Sequence, residues 1–211
     1  MEIVAATNNA GKLKELRRIL EPMGYTLRTP RELGLDLDPE EDGTTFEANA
    51  LIKARAFCEA AGMAVIADDS GLEVDALNGA PGVHSARWCG HHGDDEANNV
   101  KLLAELAGVD RAARAARFVS AVCFCLPDGR HFTYMGTCPG WVDFAPKGTN
   151  GFGYDPIFVP DCTGTADGRR LPNTAGRSYA ELEDWEKDAI SHRGEALRVM
   201  QARLAEDLAA R

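Results

Sequence analysis

Apolar positions along this chain change rhythm several times, and each change marks an element. Residues 2–6 are a short apolar run that reads as a strand, broken by Asn8, Asn9 and Gly11. Leu13, Leu16, Ile19 and Leu20 then follow at helical spacing, ending near Pro22-Met23-Gly24. Residues 25–29 read as a second strand, and residues 30–43 as an acidic loop with Asp36, Asp38, Glu40, Glu41 and Asp42. Thr44 and Glu47 make a capping-box pattern, and the helix behind it runs to about residue 61 with Phe46, Ala50, Ala54, Phe57 and Ala61 on one face. Residues 64–67 predict a buried strand, after which Asp68-Asp69-Ser70-Gly71 turns the chain. Residues 78–93 are rich in Gly, Pro and His and read as irregular. A helix follows from Asp94 or Asp95 through Leu106.

Residues 117–126, Pro127-Asp128-Gly129 and residues 131–138 predict a β-hairpin, which residues 141–144 extend. Residues 157–159 form a short strand, residues 160–178 an exposed loop, and a last helix covers about 192–208. βα units beside a hairpin predict an α/β fold with a mixed sheet. The length suits one domain over residues 1–211 or two intimate lobes, and a cleft between lobes is a natural ligand site.

Composition narrows the partners. The formal net charge is −10, which argues against a nucleic-acid backbone or an anionic membrane. It leaves room for a local basic pocket around a small phosphate ligand. The first residues lack the basic start and apolar stretch of a signal peptide, and there is no apolar run of the ~18 residues a membrane helix needs. None of the six cysteines forms a CxxC pair, so they read as reduced thiols of a cytoplasmic protein.

Four segments carry possible chemistry. Thr7-Asn8-Asn9-Ala10-Gly11-Lys12 lies between a strand and a helix, where backbone N–H groups and the helix dipole favour an anion. It is not a Walker A loop, because Leu13 stands where Ser or Thr should hold magnesium, and alone it also fits a plain turn. Asp68 and Asp69 place two carboxylates at a strand end, an arrangement that calls for a cation. Magnesium fits, with Glu40 or Glu41 as a third acid. A solvated acidic turn is the plainer alternative. Residues 148–156 combine glycines with Phe152 and Tyr154, flat surfaces suited to a base, and with Asp155 as an acceptor; core aromatics are the alternative. Lys187, His192 and Arg193 offer donors for a phosphate or a base, or else exposed charges at a helix start. Lys53 sits beside an apolar helix face, either aimed at the ligand or snorkelling. His84, His91 and His92 have no second cluster at zinc-ligand spacing.

Taken together and in order, six stretches resemble the Ham1/inosine triphosphate pyrophosphatase family: residues 6–12, 45–54, 67–77, 79–87, 150–158 and 189–197. The resemblance implies a two-lobed mixed β-sheet with flanking helices and a central nucleotide-binding cleft. It implies a magnesium-dependent homodimer that converts a non-canonical purine nucleoside triphosphate (ITP, dITP or XTP) to its monophosphate and pyrophosphate. Carried over by position, Thr7, Asn8, Asn9, Ala10, Gly11, Lys12 and Lys53 would hold the triphosphate. Asp69 would act as general base and metal contact, Glu40 as the other metal acid, and Asp68 as support. Ser70 would contact substrate, Phe152 would stack on the base, and Gly153, Tyr154 and Asp155 would complete its pocket. Lys187, His192 and Arg193 would read the purine. Three readings compete: a pyrophosphatase for other bases, a nucleotide sensor that binds without cleaving, and a kinase or P-loop NTPase, which the missing Walker pattern argues against. The paired carboxylates argue against the sensor, since a binder of polyanions gains little from added negative charge.

Overall fold

A computed structural model describes residues 1–210. In chain order the elements are β1 (Glu2–Ala5), α1 (Ala10–Leu20), β2 (Thr26–Arg28), α2 (Phe46–Ala61), β3 (Val65–Val74), α3 (Asp95–Glu105), β4 (Ala115–Cys125) and β5 (His131–Val142). They continue as β6 (Phe158–Pro160), β7 (Cys162–Gly164), β8 (Arg170–Pro172), α4 (Asp184–Ile190) and α5 (His192–Ala209). Six strands make one sheet in the order β2-β1-β3-β4-β5-β6, and β7-β8 make a separate pair. β1 runs parallel to both β2 and β3, whereas β5 and β6 are antiparallel, so the sheet is mixed as the alternation of units predicts.

Two compact units share these strands. One holds residues 1–69, 120–136 and the segment from Arg193 onward, and the other holds residues 70–119 and 137–192. The first builds its core on periodicity. Ile3 and Ala5 alternate on β1, Val122 and Phe124 alternate on β4, and Ala196, Leu197, Met200 and Leu204 form one helical face of α5. In the second unit, Phe118 is the packing centre. Its ring stacks on Tyr179 at 5.6 Å and on His192 at 4.7 Å, and it meets Phe158 edge-on at 4.8 Å.

Several sequence expectations are corrected here. Asp68-Asp69-Ser70-Gly71 does not turn the chain, because β3 continues unbroken through it to Val74. Asp and Ser favour turns by hydrogen-bonding their own backbone. Here Asp68 is held instead by side chains from other elements, and the strand stays extended. The helix expected behind Thr44 is capped by Thr45, whose hydroxyl accepts from Ala48 N–H at 3.2 Å. The expected extension of the hairpin reaches Val142 rather than Phe144, because β5 runs on through Pro139 to Val142. Residues 78–93 include a short 3-10 helix at Gly82–Arg87.

Residues 160–178 hold the β7–β8 pair, closed by Thr165 and Arg169 around Gly168. Three-residue polar strands leave no alternation to read. Asn173 staples the segment: its amide donates to Pro160 O and Arg177 O, and Arg177 forks onto Glu186 of α4. α4 went unread because it is only seven residues long. It is separated from α5 by the extended backbone of Ser191.

Gly140 shows how tightly β5 and β6 pack. A Cβ there would clash with Val159 O and stand 2.7 Å from Phe158 Cζ. Gly140→Ala should destabilise by about 1–3 kcal/mol, the usual cost of overpacking. A thermal melt should show this as a midpoint lowered by several degrees.

Candidate active site

The centre of the first unit is Asp68, whose side chain is fully buried. Arg193 grips its carboxylate along one edge, with Nε to Oδ1 at 3.2 Å and Nη2 to Oδ2 at 3.0 Å. Lys12 Nζ lies 2.8 Å from Oδ2, and Ser120 Oγ donates to Oδ1 at 2.5 Å. The remaining Nη1 of Arg193 pairs with Glu15 of α1, which is also buried. Burial alone would raise the Asp68 pKa. Arg193 and Lys12 outweigh it and hold the carboxyl well below its usual range. For Arg193 the balance runs the same way: burial would lower its pKa, and Asp68 and Glu15 raise it.

Asp69 follows in the strand and meets a different environment. Its carboxyl is buried, and its Oδ2 has no hydrogen-bond partner among the described residues. Burial pushes it up to about 6; Lys12 and Lys53 pull it down, and Glu41 and Asp68 push it further up. Lys53 of α2 ties this corner together. Its Nζ lies 3.0 Å from Glu41 and donates to the Asp68 carbonyl at 3.3 Å. Glu41 is the acid that pairs with Lys53, while its neighbour Glu40 is exposed.

These residues fit a magnesium ion. A buried carboxylate oxygen without a donor, with Glu41 nearby, is a hard anionic ligand set. Among the described residues no three His, Cys, Asp or Glu side chains form a cage for a metal.

The β1–α1 turn is organised for an anion beside Lys12. Asn9 caps α1 by accepting from Lys12 N–H at 2.9 Å, and Thr7 Oγ1 accepts from Asn9 N–H at 3.1 Å. No acid occupies the first turn of α1. Asn8 and Ala10 are exposed and Gly11 is half-buried, so the backbone here is approachable. Half-buried Ser70 follows Asp69 on β3.

The second unit assembles the aromatic segment. Asp155 Oδ2 accepts from Phe152 N–H at 2.9 Å and from Lys187 Nζ at 2.5 Å. The Lys187 ammonium lies 5.0 Å from the Phe152 ring centroid and 5.1 Å from that of Tyr179. Gly151, at φ +78°, has its Cβ position filled by the Asp155 carboxylate, so glycine is required there. Phe152 is half-buried. Tyr154 is a core residue instead, with its hydroxyl donating to Ser85 O at 2.8 Å. His192 is buried against Phe118.

Two residues of the Asp68 network, Glu15 and Ser120, escaped sequence reading. Glu15 has the look of an ordinary helix-surface acid, and Ser120 is a lone hydroxyl in an apolar strand. Arg193, placed by resemblance at the purine, is bonded here to Asp68 and Glu15.

The mixed α/β sheet thus carries one ion-paired carboxylate and, next to it, a carboxylate oxygen with no donor among the described residues, beside two lysines. The pattern describing the Ham1 family matches residues 3–203, and the chain belongs to that family. A Corynebacterium efficiens protein named dITP/XTP pyrophosphatase is 50% identical over 209 residues, covering 98% of each chain. The solved Ham1 protein of Staphylococcus aureus superposes with a TM-score of 0.80 at 40% identity, covering 98% of this chain and 100% of that one. A Mycobacterium abscessus structure described as a nucleoside-triphosphatase / dITP/XTP pyrophosphatase gives 0.71 at 45% identity, covering 95% and 97%.

Arg193→Met tests the network directly. It would leave Asp68 and Glu15 buried without their shared cation, and breaking such a set costs about 3–5 kcal/mol. Urea denaturation should show that loss, whereas a midpoint unchanged from wild type would mean the three groups do not depend on one another.

Proposed function

We propose that this protein is a nucleoside triphosphate pyrophosphohydrolase. It converts non-canonical purine nucleotides, ITP, dITP and XTP, to the monophosphate and pyrophosphate, and so clears them before incorporation into DNA or RNA. The observation that carries the chemistry is the contrast between Asp68 and Asp69. One carboxylate is locked in ion pairs; its neighbour is buried, raised to about 6 and has an oxygen to spare. Adjacent carboxylates driven apart by their surroundings are the usual mark of divided roles.

In this reading Lys12, Lys53 and the N–H groups at the start of α1 neutralise the phosphate oxygens that shield the α-phosphorus. Asp69 orients a water molecule and takes its proton as the water oxygen attacks that phosphorus. The bond from the α-phosphorus to the bridging oxygen breaks, and pyrophosphate leaves. Asp69 and Glu41 would hold the magnesium ion, which supplies Lewis-acid neutralisation of the phosphate charge. Phe152 stacks on the base, and Asp155 fixes Lys187 beside it. A donor facing O6 of the purine favours inosine and xanthine, because adenine presents its own donor there and leaves one unpaired. Lys187 and His192 are the donors proposed for that task. Arg193 acts through Asp68. Family resemblance supports a cytoplasmic homodimer; no helix among the described residues is long and apolar enough to cross a membrane.

A nucleotide panel with magnesium tests the reading. Pyrophosphate should be released from ITP, dITP and XTP far faster than from ATP, GTP, dCTP or dUTP. Asp69→Asn should lower turnover about 10²–10⁴-fold, the range for loss of a general base. Orthophosphate as product, or equal rates on ATP and ITP, would contradict the proposal. Chelation of the divalent ion should abolish turnover, and magnesium added back should restore it; activity that survives chelation would remove the metal from the account.

A further inference from the structure

α3 lies outside the site as described so far, yet two of its side chains reach the segment that carries Phe152. Asp95, in its first turn, accepts from Gly153 N–H through Oδ2 at 2.7 Å. Asn99, one helical turn later, donates from Nδ2 to Gly153 O at 2.9 Å. Positions four apart share a helix face, so α3 holds both backbone groups of one residue at once. That residue is left-handed, with φ +62°, and a Cβ on it would meet nothing within 4 Å. Gly153 is thus needed for conformation, and the clamp fixes that conformation.

Asn99 is buried, and its Oδ1 has no hydrogen-bond partner among the described residues. Only the amide donor can face the Gly153 carbonyl, so the orientation of the side chain is settled by that bond. The amide forgoes a partner for its own oxygen in order to make it. Gly153 stands between Phe152, the stacking surface, and Asp155, which binds Phe152 N–H and Lys187.

We propose that Asp95 and Asn99 are positioning residues for base selection: they hold Gly153 so that Phe152 and the Asp155–Lys187 pair present one fixed geometry to the purine. The inference rests on the reading of residues 152–155 as the base-binding segment. It makes α3 the support on which discrimination depends, with no contact of its own to the base.

Isosteric changes separate this from general fold damage. Asn99→Asp replaces the donor with a second oxygen facing the Gly153 carbonyl, and Asp95→Ala removes the acceptor, whereas Asp95→Asn keeps one. Asn99→Asp and Asp95→Ala should raise KM for ITP about five- to tenfold, with kcat within about twofold of wild type. The same two should lower the ITP-to-ATP ratio of kcat/KM about tenfold. Asp95→Asn should restore both values. Equal KM and an unchanged ratio in all variants would overturn the proposal, and so would a fall in kcat alone.

Amide hydrogen exchange, measured without nucleotide, distinguishes failure of this inference from failure of the functional reading. Exchange across residues 148–155 should quicken in Asn99→Asp and Asp95→Ala but not in Asp95→Asn. Unchanged exchange overturns the clamp whatever the substrate. Quickened exchange in a protein that never hydrolyses ITP would keep the clamp and sink its role in base selection.

Discussion

The fold of the first unit depends on neutralising one buried charge. Asp68 sits in a strand with its side chain wholly removed from water, a placement that costs several kcal/mol for an unpaired ion. Three elements converge on β3 to offset it: α1 through Lys12, β4 through Ser120, and α5 through Arg193. Glu15, again from α1, balances the arginine. None of these groups is satisfied alone, and each fixes where another element must lie. An apolar core cannot specify such geometry, because dispersion and burial are non-directional while a forked arginine is not.

This arrangement explains how neighbouring identical residues come to differ. Successive strand residues face opposite ways, so Asp69 cannot share its neighbour's arginine. It keeps the burial and loses the direct pairing, which leaves an acceptor oxygen in low-dielectric surroundings. Lys12 pairs with the Asp68 carboxylate, Lys53 donates to the Asp68 carbonyl, and both ammonium groups pull the Asp69 pKa down.

Much of this was legible in the chain, for identifiable reasons. The periodic elements were read correctly wherever an apolar face repeats, as in residues 10–20 or 115–125. The candidate site segments stand out because glycines, paired acids and aromatics cluster in sequence. What stayed hidden depends on contacts between distant positions. Asp68-Asp69-Ser70-Gly71 is a turn by local preference and a strand by tertiary pairing. Glu15 and Ser120 carry no local mark, because their role exists only once Asp68 and Arg193 are brought to them. Arg193, next to His192 in sequence, was assigned the same task, but the two belong to different units and face different partners. The short strands of residues 162–172 bury too little for any pattern to show.

The central claim is that water attacks the α-phosphorus, so that the chain separates monophosphate from pyrophosphate in one step. Hydrolysis of ITP in water enriched with oxygen-18, followed by mass spectrometry of both products, tests it most directly. The account predicts one heavy oxygen in the monophosphate and none in the pyrophosphate. Label found in pyrophosphate would place the attack at the β-phosphorus and contradict the roles given to Asp69 and the two lysines.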